Sequence, residues 1–349
     1  MDRILRFPPV IRPVEANVKR PLWSVMIPSY NCLPYLRKTL KSVLLQDPGP
    51  DTMQIEVIDD CSSDGDVEAM VQEVGKGRVA FYRQEKNLGH HRNFATCLNR
   101  AKGELVHLLH GDDVVLPGFY REIESLFQAY PQAGAAFTKN GYIDHRDNIT
   151  IPEKSWMPRQ GIMENFLLEI AQRQMLQVVA MVVKRSVYEK LGGFFAVNYC
   201  EDWEMWIRIA AHFPVAYSPE CLALYRGGQE NAASITSNSL LKGQNFENVK
   251  RVIALSQHYL PPEKRQYIKS MARKHYSMHI AKASTMMYQY SPKTAIKQGI
   301  CALKLHQNIR TIYWVMRLCL LHLQTRMGKK QQSGRRVVEA PVVHQQINQ

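Results

Sequence analysis

Three acidic pairs stand out in this chain of 349 residues: Asp59-Asp60, Asp112-Asp113 and Glu201-Asp202. The first two each follow a short apolar run, so each stands where a strand would end. Like charges held together raise the electrostatic energy. Carboxylates that cluster in spite of that cost usually surround a cation, and oxygen ligands suit a hard divalent ion. One polar cluster after a strand could simply begin a loop; two acidic pairs at two strand ends are harder to explain that way. Glu201-Asp202 opens a helical pattern, where the helix dipole alone favours acidic residues. Taken by itself, that third pair says no more.

The elements that would position these pairs alternate regularly. Trp23–Pro28 reads as a strand and Pro34–Leu45 as an amphipathic helix, followed by a strand at Ile55–Ile58, a turn over Asp59–Gly65 and a short helix over Asp66–Val74. A third strand at Val79–Tyr82 precedes a helix over His91–Ala101, and a fourth at Glu104–Leu109 runs into His110-Gly111-Asp112-Asp113. Pro117–Tyr130 is again helical, with Pro117 suited to a first turn. Strands separated by single helices predict an α/β fold with a mostly parallel sheet and helices on both faces. Ligands then bind at the carboxyl ends of the strands, where Ser29-Tyr30-Asn31, Asp59-Asp60 and Asp112-Asp113 all fall.

Past a strand at Ala135–Phe137 the chain is irregular to about Gly161. A helix over Met163–Arg173, an apolar run over Val178–Val183, a helix over Lys184–Leu191 capped by Gly192-Gly193 and a helix over Glu201–Ala211 complete this part. Beyond Leu241 helix follows helix. Ser291-Pro292 starts one that runs to about Leu305, and Ile309–Met327 forms the last, with Gly328 as its stop. The aperiodic, basic stretch from Lys329 onward is expected to be disordered. The expected organisation is an arm over 1–21, a catalytic α/β domain over 22–240, a basic all-helical region over 241–328 and a tail over 329–349.

The charge supports that division. Residues 241–349 carry 19 Lys+Arg and 3 Asp+Glu, whereas residues 1–240 carry 26 and 28, so the whole net charge of +14 resides in the last third. The two parts are therefore expected to meet different partners. The seven cysteines form no CxxC pair, which excludes zinc spacing and argues against a disulfide framework. No apolar run approaches the roughly 20 residues of a spanning helix, and Met1–Arg20 does not read as a secretory signal. The expectation is a cytoplasmic protein, free or peripheral on the cytoplasmic membrane face.

Five segments in order resemble the family 2 glycosyltransferases, inverting enzymes of the GT-A fold. They are Ser24–Asn31, Val57–Gly65, Asn87-Leu88-Gly89 with Arg92-Asn93, Gly103-Glu104 leading to His107–Asp113, and Glu201–Arg208. The resemblance covers about residues 22–235 and leaves out the basic third. It implies transfer of a sugar from a nucleoside-diphosphate sugar, UDP-linked by default, to an acceptor hydroxyl. Asp59 and Asp60 would bind the nucleobase or ribose, with Pro28, Tyr30 and Asn31 forming a wall of that pocket. Arg92 would lie near the base or diphosphate, or be a solvated helix arginine. Asp112 and Asp113 fall on the metal-binding DXD motif of the family, with Asp112 also at the donor and His110 in the first acidic position. Mg2+ or Mn2+ is the implied ion, and an imidazole ligand leans toward Mn2+.

The same resemblance makes Asp202 the general base, with Glu201 beside it. Trp203 would line the acceptor site while Trp206 packs in the core. Tyr225-Arg226, with Asn231 and Ser234 after it, resembles the segment after the base helix, and Arg226 would touch the diphosphate. The histidine common there is absent, with Gly228-Gln229 in its place.

The last helix combines Ile309, Ile312, Tyr313, Met316, Leu320 and Leu323 with Arg310, Arg317 and Arg326. Such a helix can lie in a membrane interface beside anionic headgroups, which fits a lipid-linked or polysaccharide acceptor. Equally, it can pack on the catalytic domain or on a second subunit. Competing readings are an inactive GT-A scaffold, a peripheral membrane-binding protein and a sugar nucleotidyltransferase. The last lacks its Gly-rich triphosphate loop after the first strand. A nucleic-acid binder is disfavoured because no reading motif accompanies the charge. Oligomeric state is not legible.

Overall fold

The computed structural model describes residues 4–227 and 243–336. The chain divides into two compact units, Met1–Ser239 with Glu247–Ala272, and Leu240–Phe246 with Arg273–Gln349. In chain order the first unit carries β1 (Trp23–Ser29), α1 (Leu33–Leu44), β2 (Met53–Asp59), α2 (Val67–Gly75), β3 (Ala80–Arg83), α3 (His90–Arg100), β4 (Leu105–Leu108), β5 (Val114–Val115) and α4 (Phe119–Ala129). It continues with β6 (Ala135–Ile143), β7 (Ile149–Thr150), β8 (Gly161–Ile162), α5 (Phe166–Ile170), β9 (Met181–Lys184), α6 (Arg185–Leu191), α7 (Glu201–Ala210) and β10 (Val215–Arg226). The helices that follow are α8 (Asn245–Ser256), α9 (Pro262–Met287), α10 (Pro292–Leu305) and α11 (Ile309–Arg336).

The sheet order is β3-β2-β1-β4-β9-β6-β10-β5. β3, β2, β1 and β4 run parallel. β9 then enters antiparallel to both neighbours, while β6 and β10 are again parallel to each other. The sheet is thus parallel in its first half and mixed in its second. Every residue of β1 is buried, which explains why it reads as a continuous apolar run and not as an alternation. The ladder to β4 ends at Met26, and Pro28, which offers no N–H, closes β1 as an acceptor from Gly111 N–H. Helix α1 buries Leu36, Leu40 and Val43 on one face, the spacing of an amphipathic helix against a sheet.

Chain order reverses between β1 and β4, and a doubly wound sheet opens its ligand crevice at such a switch point. The turns after β1, β2 and β4 all lie at this end.

Some boundaries differ from expectation. The helix expected over Met163–Arg173 forms only over Phe166–Ile170, and the apolar run Val178–Val183 divides into a 3-10 turn at Val178–Ala180 and strand β9. Gly328 does not stop the last helix, which continues to Arg336. An isolated glycine costs a helix interior only about 1 kcal/mol, too little to end it. Residues 337–349 lie outside the described residues.

Within the second unit, Ala295 of α10 and Leu318 of α11 close a small core with Met287 and Tyr288. Tyr288 Oη and His322 Nδ1 share a hydrogen bond of 2.7 Å. Among the described residues no helix is long and apolar enough to cross a membrane.

Candidate active site

The turn after β4 is fixed from two sides. Gly111 N–H donates to Pro28 O at 3.1 Å. A Cβ at Gly111 would come within 2.7 Å of Cys32 Sγ and 3.3 Å of Pro28 O, so only glycine lets this turn lie against the end of β1. From α1, the buried Thr39 hydroxyl donates to Gly111 O at 3.1 Å and to Asp113 O at 2.7 Å. The turn therefore presents His110, Asp112 and Asp113 in one fixed arrangement. One ligand atom from each lies within 4.8 Å of the others.

Two atoms of this cluster lack a hydrogen-bond partner among the described residues, although Asp113 Oδ2 lies 3.9 Å from His110 Nδ1. Asp113 is fully buried; its Oδ1 accepts from Arg226 N–H at 2.8 Å, but Oδ2 has no hydrogen-bond partner among the described residues. His110 Nε2 is likewise buried without one, and the ring stacks on Phe94 at 5.3 Å. Burial, then the nearby Asp112 charge, pushes the Asp113 carboxyl well above the usual carboxylate range. Leaving such atoms unpaired is costly. A divalent cation held by these three residues would answer the Asp113 carboxylate, and a mixed carboxylate and imidazole set fits Mn2+ at least as well as Mg2+.

The turns after β2 and β3 are organised by the first acidic pair. Asp59, fully buried, accepts from Ser62 N–H at 3.0 Å and from the Ser62 hydroxyl, and pairs with Arg83 Nη1 at 3.1 Å. Asp60 accepts from Leu88 N–H at 2.7 Å, Gly89 N–H at 2.9 Å and Asn87 Nδ2 at 3.1 Å. These carboxylates thus shape the loops around the crevice. Asn31, at φ 49°, accepts from Ser63 N–H at 2.8 Å, and Tyr30 beside it is exposed. Arg92, in the first turn of α3, is half-buried and makes no ion pair or side-chain hydrogen bond among the described residues. It is a cation available to a ligand.

The third acidic pair opens α7 just after Cys200, whose φ of 68° turns the chain into the helix. Asp202 Oδ1 accepts from Trp203 N–H at 2.8 Å, and Oδ2 accepts from the Gln174 side-chain amide. Burial pushes the Asp202 carboxyl up to about 6. Burial and then the Asp202 charge push Glu201 up to about 8. Glu201 Oε1 is 3.7 Å from His90 Nε2, and burial holds that imidazole neutral, well below its usual range. His90 packs on Phe94, and Phe94 on His110. One turn and a half of α3 therefore connects the His110 cluster to the start of α7, although the two lie some ninety residues apart in sequence.

Residues 24–192 match the family model described as glycosyl transferase family 2. The match places this segment, which holds the turns after β1, β2, β3 and β4, among the family 2 glycosyltransferases. The chain is a glycosyltransferase. Over 259 residues it is 28% identical to an uncharacterised protein of Mycobacterium tuberculosis (strain CDC 1551 / Oshkosh), covering 69% of this chain and 77% of the relative. Its fold is similar to that of S. aureus TarS 1-349 in complex with UDP-GlcNAc, with a TM-score of 0.58 and 16% identity over 84% of each chain. A mannosyltransferase from Pyrobaculum calidifontis, PcManGT, in complex with GDP-Man and Mn2+, gives a TM-score of 0.56 at 16% identity, covering 90% of this chain and 87% of that one. The architecture is that of the GT-A glycosyltransferases.

In this glycosyltransferase two expected site residues lie elsewhere. Trp203 is fully buried with its indole N–H donating to Ile170 O at 2.6 Å, so it packs in the core as Trp206 does and lines no acceptor surface. Arg226 is also buried. Its guanidinium donates to Asp112 O at 2.9 Å and Asp144 O at 2.5 Å, pairs with Asp147 at 3.1 Å and lies over the Tyr35 ring. It braces the turn after β4 with three of its five N–H donors. Gly228, Gln229, Asn231 and Ser234 lie outside the described residues. Sequence reasoning missed Thr39, Arg83, His90 and Gln174. His90 had a signal, since it directly follows the matched Asn87-Leu88-Gly89; Gln174, in an aperiodic loop, had none.

Proposed function

We propose that this glycosyltransferase moves a sugar from a nucleoside-diphosphate sugar, UDP-linked by default, to an acceptor hydroxyl with inversion in a single displacement. The acceptor class is a lipid-linked or growing polysaccharide chain. The observation that carries the reading is the His110-Asp112-Asp113 cluster, in which Asp113 Oδ2 and His110 Nε2 have no hydrogen-bond partner among the described residues. Fold neighbours in complex with UDP-GlcNAc, and with GDP-Man and Mn2+, support a nucleotide-sugar donor and a divalent ion. The cation held by these three residues would neutralise charge on the diphosphate as it leaves.

The protein's own groups divide the remaining work. Asn31, Tyr30 and the loops tied by Asp59 and Asp60 wall the nucleotide. Arg92 supplies a positive charge to the base or diphosphate. Asp202 accepts the proton of the acceptor hydroxyl while its oxygen bonds to the anomeric carbon and the bond to the diphosphate breaks. A carboxyl raised to about 6 is ionised at neutral pH yet basic enough for this task. Glu201, raised further, stays largely protonated beside it, which avoids two buried charges in contact.

The test is nucleotide release from a panel of UDP-, GDP- and dTDP-sugars, with Asp202→Asn as the variant. Turnover should fall ~10²–10⁴-fold while affinity for the nucleotide is kept. Unchanged turnover in the folded variant would remove Asp202 from the reaction.

A further inference from the structure

One face of α11 is apolar and exposed among the described residues. Ile309, Ile312, Tyr313, Met316, Leu320 and Leu323 are 42–85% exposed. At 3.6 residues per turn they fall within a sector of about 100°. The opposite face of the same helix is already used: Thr311 and Leu318 are buried, Thr311 against Ser277 at 2.8 Å and Leu318 in the small core of this unit. An apolar stripe remains, pointing away from the unit's own core. Exposed apolar side chains are normal singly, but a contiguous row of this length marks a contact surface.

Charge identifies what the row would meet. Exposed Arg310 and Arg317 border it on one side and exposed Arg326 on the other. Arg317 also lies over the Trp314 ring at 5.3 Å, so an aromatic, amphipathic edge accompanies the guanidinium. Between Glu263 and Glu339 the sequence holds 16 Lys+Arg and no Asp or Glu. A second copy of this chain is a poor occupant, because a self-complementary contact would set arginine against arginine with no carboxylate to answer. Nucleic acid would satisfy the charge but leave the aliphatic row unexplained. A surface with phosphates outside and hydrocarbon beneath satisfies both.

We propose that α11 lies in the plane of an anionic membrane, its apolar stripe inserted below the headgroups and its flanking arginines on lipid phosphates. No helix among the described residues can span the bilayer, so the contact is interfacial. The inference is independent of the catalytic reading, since no residue of the stripe belongs to the His110 or Asp202 sites.

The test is co-sedimentation of the full chain with phosphatidylcholine vesicles and with mixed phosphatidylcholine–phosphatidylglycerol vesicles. Met316→Ser/Leu320→Ser/Leu323→Ser alters only exposed positions, and circular dichroism checks that the helices persist. The wild type should pellet with the mixed vesicles and much less with the neutral ones. The triple variant should lose partitioning by on the order of tenfold or more, and Arg310→Gln/Arg317→Gln should lose binding to the mixed vesicles selectively. Equal pelleting of wild type and triple variant, or none by either, overturns the proposal. So does a dimer, seen by sedimentation velocity without vesicle binding, that the triple variant dissociates. A mobility shift with RNA or DNA in the absence of vesicle binding likewise overturns it.

Discussion

Among single residues, Gln174 gives the sharpest consequence. Its amide donates to the Asp202 carboxylate and so lowers a carboxyl that burial raises. The base works ionised, so activity should rise with pH through the Asp202 titration and flatten above it. Gln174→Leu removes a hydrogen bond to the charged form, which raises the carboxyl further. The acidic limb of kcat/KM should therefore move to higher pH, with the nucleotide affinity unchanged. A pH–rate profile that does not move would mean that Asp202 is not the group being titrated. The first two acidic pairs were legible because both fall at strand ends, where like charges held together call for a partner. Their division of labour was not. Asp59 and Asp60 are bonded to nearby loops, and nothing in a pair of adjacent aspartates says whether the partner is a ligand or a backbone amide.

At the level of elements, α1 and the turn after β4 act together. Thr39 has no chemistry of its own, yet its hydroxyl holds two carbonyls of the metal turn. Thr39→Val keeps the shape and deletes both bonds, leaving Gly111 O and Asp113 O without that donor. A stability loss of about 1–3 kcal/mol is expected in denaturant unfolding, with weaker Mn2+-dependent nucleotide binding at temperatures where the variant remains folded. Unaltered binding would show that α1 does not position the cluster. The parallel half of the sheet was readable because each strand is a short apolar run ended by polar residues. β9 was not, since Val178–Val183 has no periodicity to separate a turn from a strand. Trp203 shows the same limit: its side chain is fully buried with the indole N–H on Ile170 O, and spacing along α7 tells which residues share a face, not which side chain reaches the crevice.

Over the whole molecule, a nearly neutral part and a strongly basic part share one chain. Residues 1–240 are close to neutral, and the basic excess follows them. Net charge speaks to partners and association, not to fold. This explains why the asymmetry was plain in the sequence while the compact units do not follow it, the first taking in Glu247–Ala272 as well. The catalytic account rests on the first unit and the membrane inference on the second, so either can fail without the other.

The most direct test of the central claim is calorimetric titration of the purified chain with UDP, GDP and dTDP, with and without Mn2+, repeated on Asp112→Ala. The expected result is binding of one nucleotide that requires the ion and disappears in the variant. Well-folded protein that binds none of the three, or that binds one equally without the ion and in the variant, would contradict a metal-held nucleotide-sugar site at His110, Asp112 and Asp113.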